Sequence, residues 1–174
     1  MMVVSVLVYI VVFFYLLIQA NMDAKTGFVV KKYNNVMLMA MSFIAVTKIV
    51  ICKSYSEYLI KQMALVGAML VLISSNKGTR YVKVMQKADA KAFAIVYLSS
   101  FVVFSEEVAA YVLCLNLAVS NLCFLFWYRV VKKEKLKIVS EVHKPYFPFI
   151  LVGYITASVL FVFVYLRIIK QACI

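Results

Sequence analysis

The sequence is poor in the residues that turn a chain and in those that carry negative charge. Four Gly and two Pro among 174 residues leave little turn chemistry and no flexible linker. One compact helical domain spanning residues 1–174 is therefore expected. Seven acidic residues face nineteen basic ones, and Asp23 and Asp89 are the only aspartates. His143 is the lone histidine, set in a basic stretch before Lys144 and Pro145. A zinc site needs several convergent donors, so no metal is expected. Cys52, Cys114, Cys123 and Cys173 form no Cys-x-x-Cys pair and lie in or beside apolar blocks. They read as inert thiols rather than as a disulfide framework or a nucleophile with a histidine partner. No cofactor is implied.

What the chain has in excess is apolar surface. Hydrophobic residues make up 66% of it, and its mean hydropathy is +0.99. A soluble domain of this size has no interior large enough to hide so much. The apolar residues fall into six blocks, Val3–Ala20, Val36–Cys52, Leu59–Ser75, Ala92–Phe104, Val108–Tyr128 and Tyr146–Leu166. Most approach the roughly 20 residues that span a hydrocarbon core. The fourth is short, and Lys48 interrupts the second. The first has no basic segment before it and no small-residue cleavage site after Ala20, so it is expected to be a retained helix rather than a signal peptide. An all-α, polytopic integral membrane protein of about six transmembrane helices is the expected class.

The connections alternate in charge. The first, third and fifth carry three, five and six basic residues, fourteen of the nineteen in the chain. The positive-inside rule makes those connections cytoplasmic and puts both termini outside. The net charge of +12 is thus explained by topology and by attraction to anionic headgroups of the lipid bilayer. No nucleic-acid partner is expected.

Against this basic background both aspartates lie on one side of the membrane. Asp23 follows the first apolar block by a few residues, and Asp89 precedes the fourth by a few. Ionisable groups near the hydrocarbon boundary are functional candidates. Taken singly, each is as well explained as a helix cap or as a counter-ion to Lys25, Lys87 or Lys91. Taken together, they form a candidate pair of acids.

The surroundings of the pair resemble a family. Asp23 stands in Asn21-Met22-Asp23-Ala24-Lys25-Thr26-Gly27-Phe28-Val29-Val30, directly after the first apolar helix. This is similar to the first aspartate motif of the type IV prepilin peptidases. Gln86-Lys87-Ala88-Asp89-Ala90-Lys91 resembles the family's Gly-x-Gly-Asp-x-Lys motif, with Asp89 and Lys91 on the matching positions. Gln86 and Ala88 replace both glycines. Pro145-Tyr146-Phe147-Pro148-Phe149-Ile150-Leu151-Val152-Gly153 resembles the family's late Pro-Phe-x-Pro-aliphatic-Gly segment.

The resemblance implies an intramembrane aspartic endopeptidase of a bacterial or archaeal plasma membrane. Asp23 and Asp89 would be its catalytic acids, with Lys91 and Ala88 in support. Its substrate would be a prepilin-like or preflagellin-like precursor, cut at the cytoplasmic face between a short basic leader and a hydrophobic helix. The chain lacks the cysteine-containing region of the larger family members and is similar to the short, peptidase-only forms. The rival class is a non-enzymatic membrane protein, a small transporter subunit or pilus-assembly scaffold, in which Glu106-Glu107 of an outer turn would be a candidate cation site.

Overall fold

The computed structural model describes residues 2–52, 63, 67, 87–133 and 145–172, and every regular element among them is helical. Helix α1 covers Met2–Thr26, α2 Lys31–Cys52, α3 Lys87–Val103, α4 Glu106–Phe126 and α5 Phe147–Ala172. A π-helical turn, Trp127–Val131, continues α4. The expected block Leu59–Ser75 lies outside the described residues except for Met63 and Gly67.

Three helical stretches are long and apolar enough to cross a membrane: Leu7–Thr26, Lys31–Ile51 and Glu107–Val131. The apolar stretch of α5, Phe147–Phe161, is shorter. The outside of the bundle is apolar as well. Met39 and Phe43 on α2 are 73% and 74% exposed, and Tyr111 on α4 is 75% exposed. Apolar surface of that extent marks an interaction or membrane-facing side rather than ordinary water-facing protein.

Helix α3 is the axis of the bundle, packing against α1, α2, α4 and α5. Its middle is buried on all sides, with Ala92, Phe93, Ile95, Val96, Ser99 and Ser100 at zero exposure. This position explains its composition: small and apolar residues all round suit a helix with no solvent face. At 17 residues it is about 25 Å long.

Both ends of α3 meet charge of the favourable sign. Asp89 lies in its first turn, where the helix dipole favours an anion. At its other end Lys48 of α2 donates to the carbonyls of Phe101 (2.5 Å) and Phe104 (2.7 Å). The same ammonium stands 4.8 Å from the Phe101 ring centroid. The lysine that interrupts an apolar block is therefore a C-terminal cap supplied by a neighbouring helix. Lys48→Met is expected to destabilise the bundle by about 1.5–3 kcal/mol, the usual worth of a charge-assisted hydrogen bond. Thermal unfolding in detergent measures it, and Lys48→Arg should recover much of the loss.

Candidate functional site at the shared end of α1, α3 and α5

Asp23 sits in the last turn of α1, a place its own helix dipole disfavours for a carboxylate. The reason it is tolerated lies on α5. Asp23 Oδ2 accepts hydrogen bonds from the backbone N–H groups of Tyr146 (2.7 Å) and Phe147 (2.9 Å). These are donors of a helix N-terminus, which have no partner within their own helix. The rest of that terminus is satisfied locally. Pro148 has no N–H to place, and Phe149 and Ile150 donate to the Tyr146 carbonyl at 3.0 and 3.3 Å. Proline in a first helical turn costs no hydrogen bond. The Pro-Tyr-Phe-Pro segment thus leaves two adjacent N–H groups free to grip one carboxylate oxygen.

The turn after Asp23 is equally fixed. Gly27 adopts φ 69°, a left-handed conformation natural to glycine. Its N–H donates to the Asp23 carbonyl at 2.8 Å, closing α1. Val30 then donates to Gln19 Oε1 at 3.2 Å, and Gln19 Nε2 reaches the Val30 carbonyl at 3.5 Å. One turn earlier, Tyr15 donates to Asn34 Oδ1 of α2 at 2.7 Å. Tyr15, Gln19 and Asp23 recur every four residues on one face of α1, and each holds a different neighbour.

Asp89 is buried, at 4% exposure, and Asp23 is at 1%. Tyr146 stands between the two segments. Its N–H binds Asp23, and burial, with a smaller contribution from the Asp89 charge, pushes the phenol's pKa up. Phe93, one turn beyond Asp89, meets the Tyr146 ring edge-on at 6.4 Å between centroids. The phenol itself donates to Asn121 Oδ1 of α4 at 2.8 Å, and Asn121 Nδ2 donates to the Leu117 carbonyl at 2.8 Å. Asp23, the late proline segment and, through Phe93, the helix that carries Asp89 meet at Tyr146.

The two residues expected in support are placed differently. Lys91 donates to Asn35 Oδ1 of α2 at 2.6 Å. A residue two positions after Asp89 points about 200° around the helix from it, which directs Lys91 to α2. Ala88 is half-buried against the core. Gln86 and His143 lie outside the described residues.

Tyr146, Asn121 and Gln19 were not singled out in the sequence, although two carried a signal. Gln19 precedes Asp23 by one helical turn, and Asn121 is a polar residue in an apolar helix. Among the described residues no group of three or more His, Cys, Asp or Glu could hold a metal ion. No protein-family model, curated protein or solved structure matches this chain.

Proposed function

We propose that the chain is an intramembrane aspartic endopeptidase of the prepilin peptidase kind. It crosses the membrane six times as a single domain, with both termini outside and Asp23 and Asp89 at the cytoplasmic face. Its substrate is a precursor with an apolar helix cut near the membrane boundary. The observation that carries this reading is the meeting of three segments at Tyr146: Asp23 through its hydrogen bonds, the helix of Asp89 through the Phe93 ring, and the late proline segment through its backbone.

Two carboxylates suffice for the chemistry. One takes a proton from a water molecule as its oxygen attacks the scissile carbonyl carbon. The other, carrying a proton, polarises the carbonyl oxygen and then supplies a proton to the leaving nitrogen as the C–N bond breaks. The grip of two backbone N–H groups on Asp23 Oδ2 fixes the orientation of that carboxylate, and fixed orientation is itself a large share of catalytic rate.

The same grip favours a second reading. Asp23 satisfies the N-terminus of α5, a structural task sufficient to explain a buried carboxylate. On that reading the protein is a non-enzymatic transporter subunit or assembly scaffold. Co-expression with a prepilin-like precursor separates the two: a shortened product supports the peptidase, and an unprocessed precursor supports the structural role.

Orientation is tested independently. Single cysteines at Lys31, Lys83 and Lys135 are expected to react only with reagents that reach the cytoplasm. Labelling any of them from outside removes the shared cytoplasmic site.

A further inference from the structure

Helix α4 turns one narrow face inward: Ala109, Val112, Leu113, Asn116 and Ser120 are all buried. Their spacing of three and four residues puts them on a single stripe. Asn116 stands at the midpoint of this 21-residue helix, about 15 Å from either end. The helix belongs to a stretch long and apolar enough to cross a membrane, where bulk water does not reach its flanks.

The two polar residues of the stripe face α5. A Cβ on Gly153 would run into both Asn116 and Ser120, so the seam is closed tightly on that side. Ser120 Oγ lies 2.9 Å from Asn116 Oδ1 and 3.0 Å from the Phe149 carbonyl. A hydroxyl has a single proton to donate, so it serves one of these acceptors at a time. Asn116 Nδ2 is buried and, among the described residues, has no hydrogen-bond partner. Turning the amide over does not remove the deficit. Nδ2 would then donate to Ser120 Oγ, the hydroxyl would donate to the Phe149 carbonyl, and Oδ1 would take the unpaired place. In either orientation one polar atom of Asn116 is left without a protein partner.

A buried amide group without a partner is costly, and protein interiors meet such deficits with ordered water. The chemistry of the seam selects water over other ligands. Between Val108 and Phe126 the helix carries no Asp, Glu, Lys, Arg or His, so an ion would find no counter-charge on it. The unpaired place calls for an acceptor in one amide orientation and a donor in the other. Water is both.

We infer that Asn116 holds a water molecule inside the bundle, on the seam between α4 and α5. The contacts from Asn116 through Ser120 to Phe149 lead along this seam toward Tyr146, whose N–H binds Asp23. The site stands on either reading of Asp23. On the peptidase reading it stores water along the seam that leads to a reaction consuming it.

Water-edited solid-state NMR of the native protein in phosphatidylcholine bilayers tests the site. Leu115–Asn116 is the only Leu-Asn bond in the chain, so carbonyl-labelled leucine with labelled asparagine assigns Asn116 without a mutation. Magnetisation starting on water is followed into three side chains. These are the Asn116 amide, the exposed Asn21 amide and the Val12 methyl groups, which have zero exposure. The Asn116 signal is expected to build up at the Asn21 rate, several-fold ahead of Val12. Build-up at the Val12 rate shows a dry amide and overturns the inference. Equally fast build-up at all three shows water entering the bundle without regard to Asn116, and overturns it too.

Discussion

Asp23→Asn and Asp89→Asn are each expected to abolish processing of a co-expressed precursor, with at least about a 10³-fold loss of rate, as for removal of a group whose proton transfer the reaction requires. The double variant should be little worse than either single one, because residues that act as a unit lose function non-additively. Asparagine keeps an oxygen on the side chain, so the N–H groups of Tyr146 and Phe147 retain an acceptor. What Asp23→Asn loses is the charge assistance, about 1–2 kcal/mol. Inserted, folded protein should therefore persist at nearly normal levels, measured by membrane fractionation and detergent gel filtration. That combination of intact protein and absent cleavage separates chemistry from capping. Glu106→Gln and Glu107→Gln, at the other end of the bundle, serve as controls and should process normally. Processing that survives in either aspartate variant removes the peptidase assignment.

The largest structural effect is expected at Gly153. Helices α4 and α5 approach so closely there that an added Cβ would meet Asn116 Oδ1, Ser120 Oγ at 2.6 Å and the Asn116 backbone carbonyl at 2.7 Å. Side chains can turn away, but a helix carbonyl cannot, so Gly153→Ala forces the two helices apart. The polar contacts along this seam would stretch with it. Ser120 Oγ lies 2.9 Å from Asn116 Oδ1 and 3.0 Å from the Phe149 carbonyl. Overpacking of this kind costs about 1–3 kcal/mol, and Gly153→Leu should exceed that and block assembly. Thermal unfolding of purified protein gives the order native, alanine, leucine. Because the seam leads to Phe149 and Tyr146, a precursor assay should show Gly153→Ala impaired as well. An alanine variant as stable as the native protein would show that the helices separate there without cost.

The helical class and the places of α1, α2 and α4 were legible from apolar blocks alone, because length and hydropathy need no tertiary information. The ends were not. The block Val3–Ala20 stops six residues short of the end of α1 at Thr26, since a polar last turn carries no apolar signal. The block Ala92–Phe104 starts late for the same reason, and α3 already includes Lys87 and Asp89. Both aspartates are thus inside helices, where the sequence put them just outside. Their shared end was readable from loop charge. Their partners were not, because the Tyr146 and Phe147 N–H groups are backbone and leave no trace in residue identity. Lys91 reaches Asn35 of α2, a partner that residue identity does not announce, because helical phase turns position i+2 away from position i. Lys48 looked like a flaw in an apolar block only because the open end of α3 was invisible.

The hydrogen bonds from Tyr146 and Phe147 to Asp23 join residues 123 and 124 positions apart. Chains emerge from the ribosome N-terminus first, so both carboxylates are made well before the donors that orient one of them. Until the last helix arrives, Asp23 sits at the wrong pole of its own helix without its compensating partner. A nascent or C-terminally truncated chain would therefore carry both acids and still lack a finished site. On the peptidase reading, competence would be conferred late in biosynthesis, by the arrival of a proline-flanked helix terminus rather than by any acidic residue.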